Sequence, residues 1–486
     1  MMKSILYIAL SVLLLQSIKS GAQEKILLTL DGAIEMAHSK SISSFQSRTK
    51  KEDKYWQWRA YQANYLPQLA LSGVIPEYKK TYEQVLQPDG SVQFQKLQYN
   101  SALMNLSLSQ YISLTGSTVY ASSSVLRYND LVNKQIQYNN NPFVVGLNQP
   151  ILKFNPLKWD KLIEPLKYEE SKREYVQEME QIALETSNLF FDVLLAQKNQ
   201  EIAKENLENN DTLYAIALEK NKLGKVSKND LLQLRLAIIN AKKLLIQANL
   251  EFTTAILNFK TYLGITDEAE LLLEIPENTL IFNIDPEIAL AEAWKNRSEA
   301  TSFKLKLLEA DRQIAEAKRE LGMNADLSFE LGYSNSATNL SDSYINSIDR
   351  QIVHLKFYIP IADWGKARSQ RKVAYANKKL TEYTVKQEEV NFEKTIRTQI
   401  EQFKILSAHV EMTSEAQKIA EERYKISIER YKLGDINITE LNIATSENNE
   451  AKQDYINTLK KYWDAFYQIR LLTMYDFINQ HTISYE

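Results

Sequence analysis

Leu231, Leu234, Ile238, Ala241, Leu245, Ala248, Phe252, Ala255, Phe259 and Tyr262 follow one another at steps of three and four residues without a break. A 3.5-residue period of this kind keeps one face of a helix against a partner, as in a coiled coil. The same spacing recurs 210 residues later at Leu441, Ala444, Asn448, Ala451, Tyr455, Thr458, Tyr462, Ala465, Ile469 and Leu472. The residues just ahead recur too: Lys222-Leu223-Gly224 answers to Lys432-Leu433-Gly434, and Asp230-Leu231 to Glu440-Leu441. A long helical segment present twice at a fixed offset predicts a duplicated architecture. The copies are not equivalent, since Asn448 stands for Ile238 and Tyr455 for Leu245. The second seam is therefore expected to be the looser one, and the one to move if either hairpin moves.

Outward from the seams, composition narrows the class. Only 12 Gly and 10 Pro in 486 residues favour long uninterrupted elements over many turns. The formal charge of -3, with no basic cluster, points away from nucleic acid. There is no cysteine, which excludes disulfides, thiolate metal sites, thiol catalysis and a lipidated N-terminal Cys. The four histidines (His38, His354, His409 and His481) show no ligand spacing, so no metal is expected. No nucleophile motif or glycine-rich phosphate loop is present, and neither an enzyme nor a cofactor is expected. Lys3, the apolar run from Ile5 to Leu15 and Ser20-Gly21-Ala22 predict a secretory signal peptide over residues 1–22. No later run is long and apolar enough for a transmembrane helix, which leaves a β-barrel as the one way to cross a membrane.

The order of elements then reads as two repeats. The first covers 23–284: a helix from Leu30 to about Leu66, a β region at about 67–152 and a helical hairpin at about 158–263. The second covers 285–486: a helix from Glu287 to Leu321, a β region at about 325–361 and a hairpin at about 365–475. In the β regions apolar and serine-rich positions alternate, as in Leu106, Leu108 and Ile112 against Ser107 and Ser109. Such alternation suits a barrel wall with lumen on one side and lipid on the other, and equally an edge-rich soluble β-domain. Leu69 pairs with Leu327 and Val145 with Val353, at offsets of 258 and 208, so the first β region carries 50 extra residues. They have room for an additional hairpin in the wall or one long excursion beyond the membrane.

Leu66-Pro67-Gln68-Leu69-Ala70-Leu71 at the first helix-to-strand junction, Leu147-Asn148-Gln149-Pro150-Ile151-Leu152 entering the long helix, Phe357-Tyr358-Ile359-Pro360-Ile361 with Gly365, and the paired Leu-Gly turns occur in one order. With that order the chain resembles the TolC-type outer-membrane efflux family. The resemblance implies a mainly α fold with a transmembrane β-barrel portion, in which a homotrimer builds one barrel and a periplasmic α-helical coiled-coil tunnel. It implies four strands per copy. It also implies a passive conduit in the cell outer membrane, gated at its periplasmic tip, that completes a tripartite efflux or export system with a periplasmic adaptor protein and an inner-membrane pump. Met323-Asn324-Ala325-Asp326-Leu327 replaces the Leu-Pro junction in the second half, and the long first β region puts the strand count in doubt. A secreted coiled-coil scaffold or adhesin with a β binding region is the alternative.

The resemblance places the Leu-Gly turns at the tip, making Leu223, Gly224, Leu433 and Gly434 candidates for adaptor docking. Glu440 falls where a ring of gate carboxylates sits, and Asp230 is its duplicate. Ile443 and Ile436 stand where further charged gate residues are implied, so the ring is partial. Acidic residues also begin helices for purely local reasons. Tyr78, Tyr82, Tyr111, Tyr120, Tyr128, Phe143 and Tyr358 are candidates for aromatic girdles at the lipid interfaces, with cross-strand packing the equal alternative.

Overall fold

The structure, a computed structural model, describes residues 25–224, 226–265, 270–276 and 283–485. The expected signal peptide lies outside them. In chain order, β1 (Lys25–Leu28) leads to α1 (Leu30–Lys40) and α2 (Ile42–Ala63). Strands β2 (Gln68–Leu86), β3 (Val92–Ile112), β4 (Ser117–Asp130) and β5 (Gln135–Ile151) precede the long helices α3 (Pro156–Lys222) and α4 (Lys228–Leu263). After β6 (Glu270–Leu273) come α5 (Pro286–Asn296), α6 (Ser298–Arg319), β7 (Asn324–Ala337), β8 (Ile348–Tyr358), α7 (Lys366–Leu433), α8 (Ile438–Thr473) and the short β9 (Tyr475–Asp476) and β10 (His481–Thr482).

The duplication is closer than the sequence suggests. Helices α1 and α2 have 11 and 22 residues, and so do α5 and α6. Helix α3 has 67 residues against 68 in α7, while α4 and α8 have 36 each. The helix expected to run unbroken from Leu30 is interrupted at Ser41, and its counterpart at Arg297; both residues are extended. Ser41 Oγ accepts a bond from the Ser44 amide, which restarts the helix. In the second half Asp285 caps Glu287 from the position before Pro286, the arrangement that a proline at the first helical turn favours.

Contacts divide the chain into two units, and these are not the two repeats. One contains Met1–Lys50, Arg173–Arg297 and Asn391–Glu486; the other contains Lys51–Lys172 and Ser298–Val390. Each unit draws on both halves, because elements of one repeat find their partners in the other.

In the first unit both seams face inward. Leu234, Ala241, Ala248 and Phe259 are buried on α4, and Leu441, Ala444, Asn448, Thr458, Tyr462, Ala465 and Ile469 on α8. The more polar seam is therefore the more deeply buried one within the chain. Its Asn448 is 2% exposed with Oδ1 unpartnered. The core joins Phe190, Phe191, Phe259, Phe403, Tyr462 and Phe466. Beside it lies a charged cluster. Arg470 donates from Nε and Nη2 to the two oxygens of Glu180 at 3.0 and 3.1 Å, and from Nη1 to Asp476 Oδ2 at 2.6 Å. Tyr485 Oη donates to Glu180 Oε1 at 2.5 Å, tying the last described residues to α3. Glu180 is fully buried. His38, edge-on to the Tyr485 ring, bonds the Met179 carbonyl at 2.9 Å, and burial holds its pKa below the usual imidazole range.

In the second unit β2-β3-β4-β5-β7-β8 form one antiparallel sheet in that order. The extra first-half residues thus add strands to this sheet. β2 and β8 are its edges.

Removing one partner of a buried bidentate pair leaves an uncompensated charge, so Glu180→Ala should cost about 3–5 kcal/mol, read as a lowered unfolding midpoint in denaturant. A histidine with a depressed folded-state pKa stabilises fully above pH 6.5 and loses that contribution as pH falls through the window below it. Thermal midpoints of the wild type should accordingly drop more between pH 7.5 and 5.5 than those of His38→Gln.

Candidate functional site

The sheet presents two chemically distinct faces, set by the two-residue period of strands. One carries Leu69 and Leu71 on β2, Leu106 and Leu108 on β3, Val119 and Ala121 on β4 and Val145 and Leu147 on β5. It continues with Leu327, Phe329 and Leu331 on β7 and Val353, Leu355 and Phe357 on β8. The register puts these residues opposite one another across all six strands. The other face carries Ser72, Asn105, Ser107, Ser109, Ser122, Ser124, Asn148, Ser328, Glu330, Arg350 and His354.

On the polar face one arrangement crosses four strands. Tyr120 leans over β5 so that its Oη donates to Glu330 Oε1 at 2.7 Å, and Arg350 Nη2 donates to Glu330 Oε2 at 2.8 Å. The ring passes where β5 has Gly146; a Cβ there would lie 2.2 Å from it. Lys153 pairs with Asp326 near the other end of β7 at 2.5 Å. None of these pairings was read from the sequence. The dipeptide Val145-Gly146, inside an otherwise continuous strand pattern, was the available signal for a close approach.

The candidate girdle residues are divided by register. Tyr111, Tyr120, Tyr128 and Tyr358 stand on the polar face, opposite or diagonal to its serines and asparagines, and the Tyr128 ring lies 4.9 Å from that of Tyr99. Only Tyr78 and Tyr82 fall on the apolar side, in the outer part of β2 that pairs with β3 alone. Phe143 sits where β5 shifts register against β7. Four of the seven thus stand off the apolar face because strict alternation decides the side, whatever the side chain. A separate aromatic group gathers where α2 and α3 meet β3: Trp58 stacks on Tyr168 at 5.4 Å and 1°, Tyr61 and Tyr65 pack beside it, and Tyr65 Oη donates to the Leu157 carbonyl.

The other candidate site is at the helix turns. In the first unit Ala217, Leu234, Tyr431, Ile436, Ile438 and Leu441 pack into one cluster, so the α3–α4 and α7–α8 turns lie together. Lys220 Nζ donates to the Tyr431 and Lys432 carbonyls at 3.3 and 3.4 Å, closing the last turn of α7. Gly224 and Gly434 have φ of 70° and 89°, with open space where a Cβ would stand. Glycine is there for backbone conformation, not for room. Leu223 and Leu433, 72% and 79% exposed, project from the turns. Both candidate gate carboxylates take part in helix capping. Asp230 accepts from the amide and hydroxyl of Ser227 at 3.1 and 2.7 Å. Glu440 accepts from Asn437 Nδ2 at 3.3 Å, while its own amide donates to Asn437 Oδ1. Glu440 also borders a recess of about 390 Å³ with Arg423, Arg430, Ile436 and Ile443. A larger groove of about 900 Å³ between the four helices is lined by Asn206, Asn209, Asn240, Asn442 and Asn449 among others.

Among the described residues no group of three or more acidic or imidazole side chains is placed to hold a metal. No described helix is long and apolar enough to cross a membrane. What the sheet offers is a polar surface backed by an apolar one.

Comparison with known proteins agrees with this arrangement. No curated protein matches the chain by sequence. Among solved structures it is similar to the CmeC outer membrane channel of Campylobacter jejuni, with a TM-score of 0.67 and 17% identity over 91% of this chain and 85% of that one. It is similar also to the outer membrane protein VceC of Vibrio cholerae (TM-score 0.63, 13% identity, 92% and 95% covered). The MtrE outer membrane channel of Neisseria gonorrhoeae, solved in its open state, gives 0.62 and 13% over 91% and 88%. A sequence model described as "Outer membrane efflux protein" matches residues 52–265 and 290–473, most of the chain and both repeats. The chain therefore belongs to the outer membrane efflux protein family.

Proposed function

We propose that this chain is the channel subunit of a tripartite efflux or export system, working as a homotrimer in the outer membrane with a periplasmic adaptor and an inner-membrane pump. The observation that carries the reading is the six-stranded sheet with one apolar face, one serine- and asparagine-rich face and two open edges. In lipid every backbone donor and acceptor needs a protein partner, so such a sheet has to be completed by other copies around a polar lumen. Helix α4 supports the same reading. Away from its buried seam it exposes a second stripe at heptad-compatible spacing, Leu232, Leu236, Ile239, Ile246, Leu250 and Leu257, each more than half exposed. A neighbouring helix would bury it.

Solutes diffuse through this conduit, and energy comes from the inner-membrane partner. The turns carrying Leu223, Gly224, Leu433 and Gly434 are the adaptor-docking elements in this reading, offering two exposed leucines on rigid left-handed caps. Glu440 and Asp230 contribute to the gate. Three Glu440 carboxylates around one axis would favour cations.

Detergent-extracted outer membranes should yield a heat-modifiable, trimer-sized species. Recovery of the mature chain from the periplasm without detergent would overturn the channel reading in favour of a secreted scaffold. Glu440→Ala should reduce cation selectivity, seen as a shifted reversal potential in single-channel recordings under a salt gradient; an unchanged potential removes Glu440 from the gate. Gly434→Val, forced into a left-handed conformation, should weaken adaptor crosslinking and efflux while leaving trimer assembly intact. Gly434→Asn, which tolerates that conformation, should retain both.

A further inference from the structure

We propose that the wall of the channel is an eighteen-stranded barrel, in which β2 of each copy pairs with β8 of the next and the inserted β3–β4 hairpin is part of the wall. The inference rests on the trimer reading above and extends it to the width of the outer conduit. Sequence repetition pairs β2 with β7 and β5 with β8, so β3 and β4 have no counterpart in the second half. Both are fully built into the sheet. β3 pairs with β4 through fourteen consecutive positions from Tyr99 to Ile112, and β4 pairs with β5 along its length.

The edges show where the next copy attaches. From Gln68 to Val74, β2 reads Gln-Leu-Ala-Leu-Ser-Gly-Val, with no charge and no proline. Leu69 and Leu71 are 69% and 65% exposed. Free edges are normally blunted by charge, proline or bulges. In β2 those devices begin at one point: Pro76, the register shift between Val74 and Glu77, then Lys79 and Lys80. The strand is thus unprotected along its first seven residues and guarded from there on; β4 ends level with Lys79, beyond which β2–β3 continues as a two-stranded ribbon. On the opposite edge β8 repeats the pattern of the inner strands, with Val353, Leu355 and Phe357 all at least 60% exposed. Neighbours throughout the sheet are antiparallel and the strand number is even, so β2 and β8 run in opposite directions. A rotation about one axis then brings β8 of one copy antiparallel to β2 of the next, with polar faces inward. Six strands fall short of the smallest membrane barrels. Three copies supply eighteen, a number that encloses an open aqueous channel.

The chain lacks cysteine, so crosslinks can be read directly. Ser72→Cys on β2 is combined in turn with Ile352→Cys, His354→Cys and Lys356→Cys on β8, all on the polar face. A second set combines Ser122→Cys on β4 with the same three. Oxidation in outer membranes followed by non-reducing, heat-denatured gels should give covalent dimers and trimers for one Ser72 pair, and monomers for the single variants and the Ser122 pairs. Crosslinking through Ser122 would show that β2 and β3 lie outside the wall and overturn the proposal. So would the absence of any Ser72 crosslink in variants that still migrate as heat-modifiable trimers. Loss of the trimer in the unmodified protein would instead defeat the channel reading itself.

Discussion

The unpaired backbone at the two edges of the six-stranded sheet is the constraint on which the rest depends. A sheet with an apolar face turned to lipid cannot leave a row of amides and carbonyls open, because nothing in hydrocarbon replaces the missing partners. In the proposed channel, one copy of this chain is therefore a fraction of the closed wall. The serine-rich face is equally uneconomic for a soluble domain, where it would face water on one side while leucines and phenylalanines faced water on the other. Both features become reasonable together once several copies share the wall.

The helical unit faces the same problem in another form. Each long helix is too polar to stand alone, and its stability comes from a narrow seam. Within the chain α8 is satisfied almost completely, through Leu441, Ala444, Ile456, Leu459, Tyr462 and Ile469. Helix α4 is satisfied on one side only, its second stripe of leucines and isoleucines remaining exposed within the chain. The duplicated helices have thus diverged in role while keeping their length. The buried pairing of Arg470 with Glu180 and Asp476 anchors the end of α8 to α3, and it fixes orientation at the cost of desolvating three charges.

How the sites were read differs by the range of the interactions. The seams, the Leu-Gly turns and the capping acids were legible because they depend on residues three, four or seven apart. The paired turns do lie together, and Asp230 and Glu440 do begin their helices. Other features were not legible because their partners are far apart in the chain: Tyr120 with Glu330, Glu180 with Arg470, Asn140 with Ser343. The two readings of the aromatic residues stayed open in the sequence for a related reason. Tyrosine suits a lipid interface and a polar wall alike, and only register told the two apart.

By itself the sequence determined that there are two repeats, where their long helices start and stop, and which face of each strand is apolar. These follow from local periodicity and capping, whose energies act over a few residues. Only the tertiary structure decided that the 50 or so extra residues add strands to the same sheet, that the compact units cut across the repeats, and that the more polar seam is the better buried within the chain. Those outcomes depend on which distant segment supplies a hydrogen-bond or packing partner, and no local pattern carries that information.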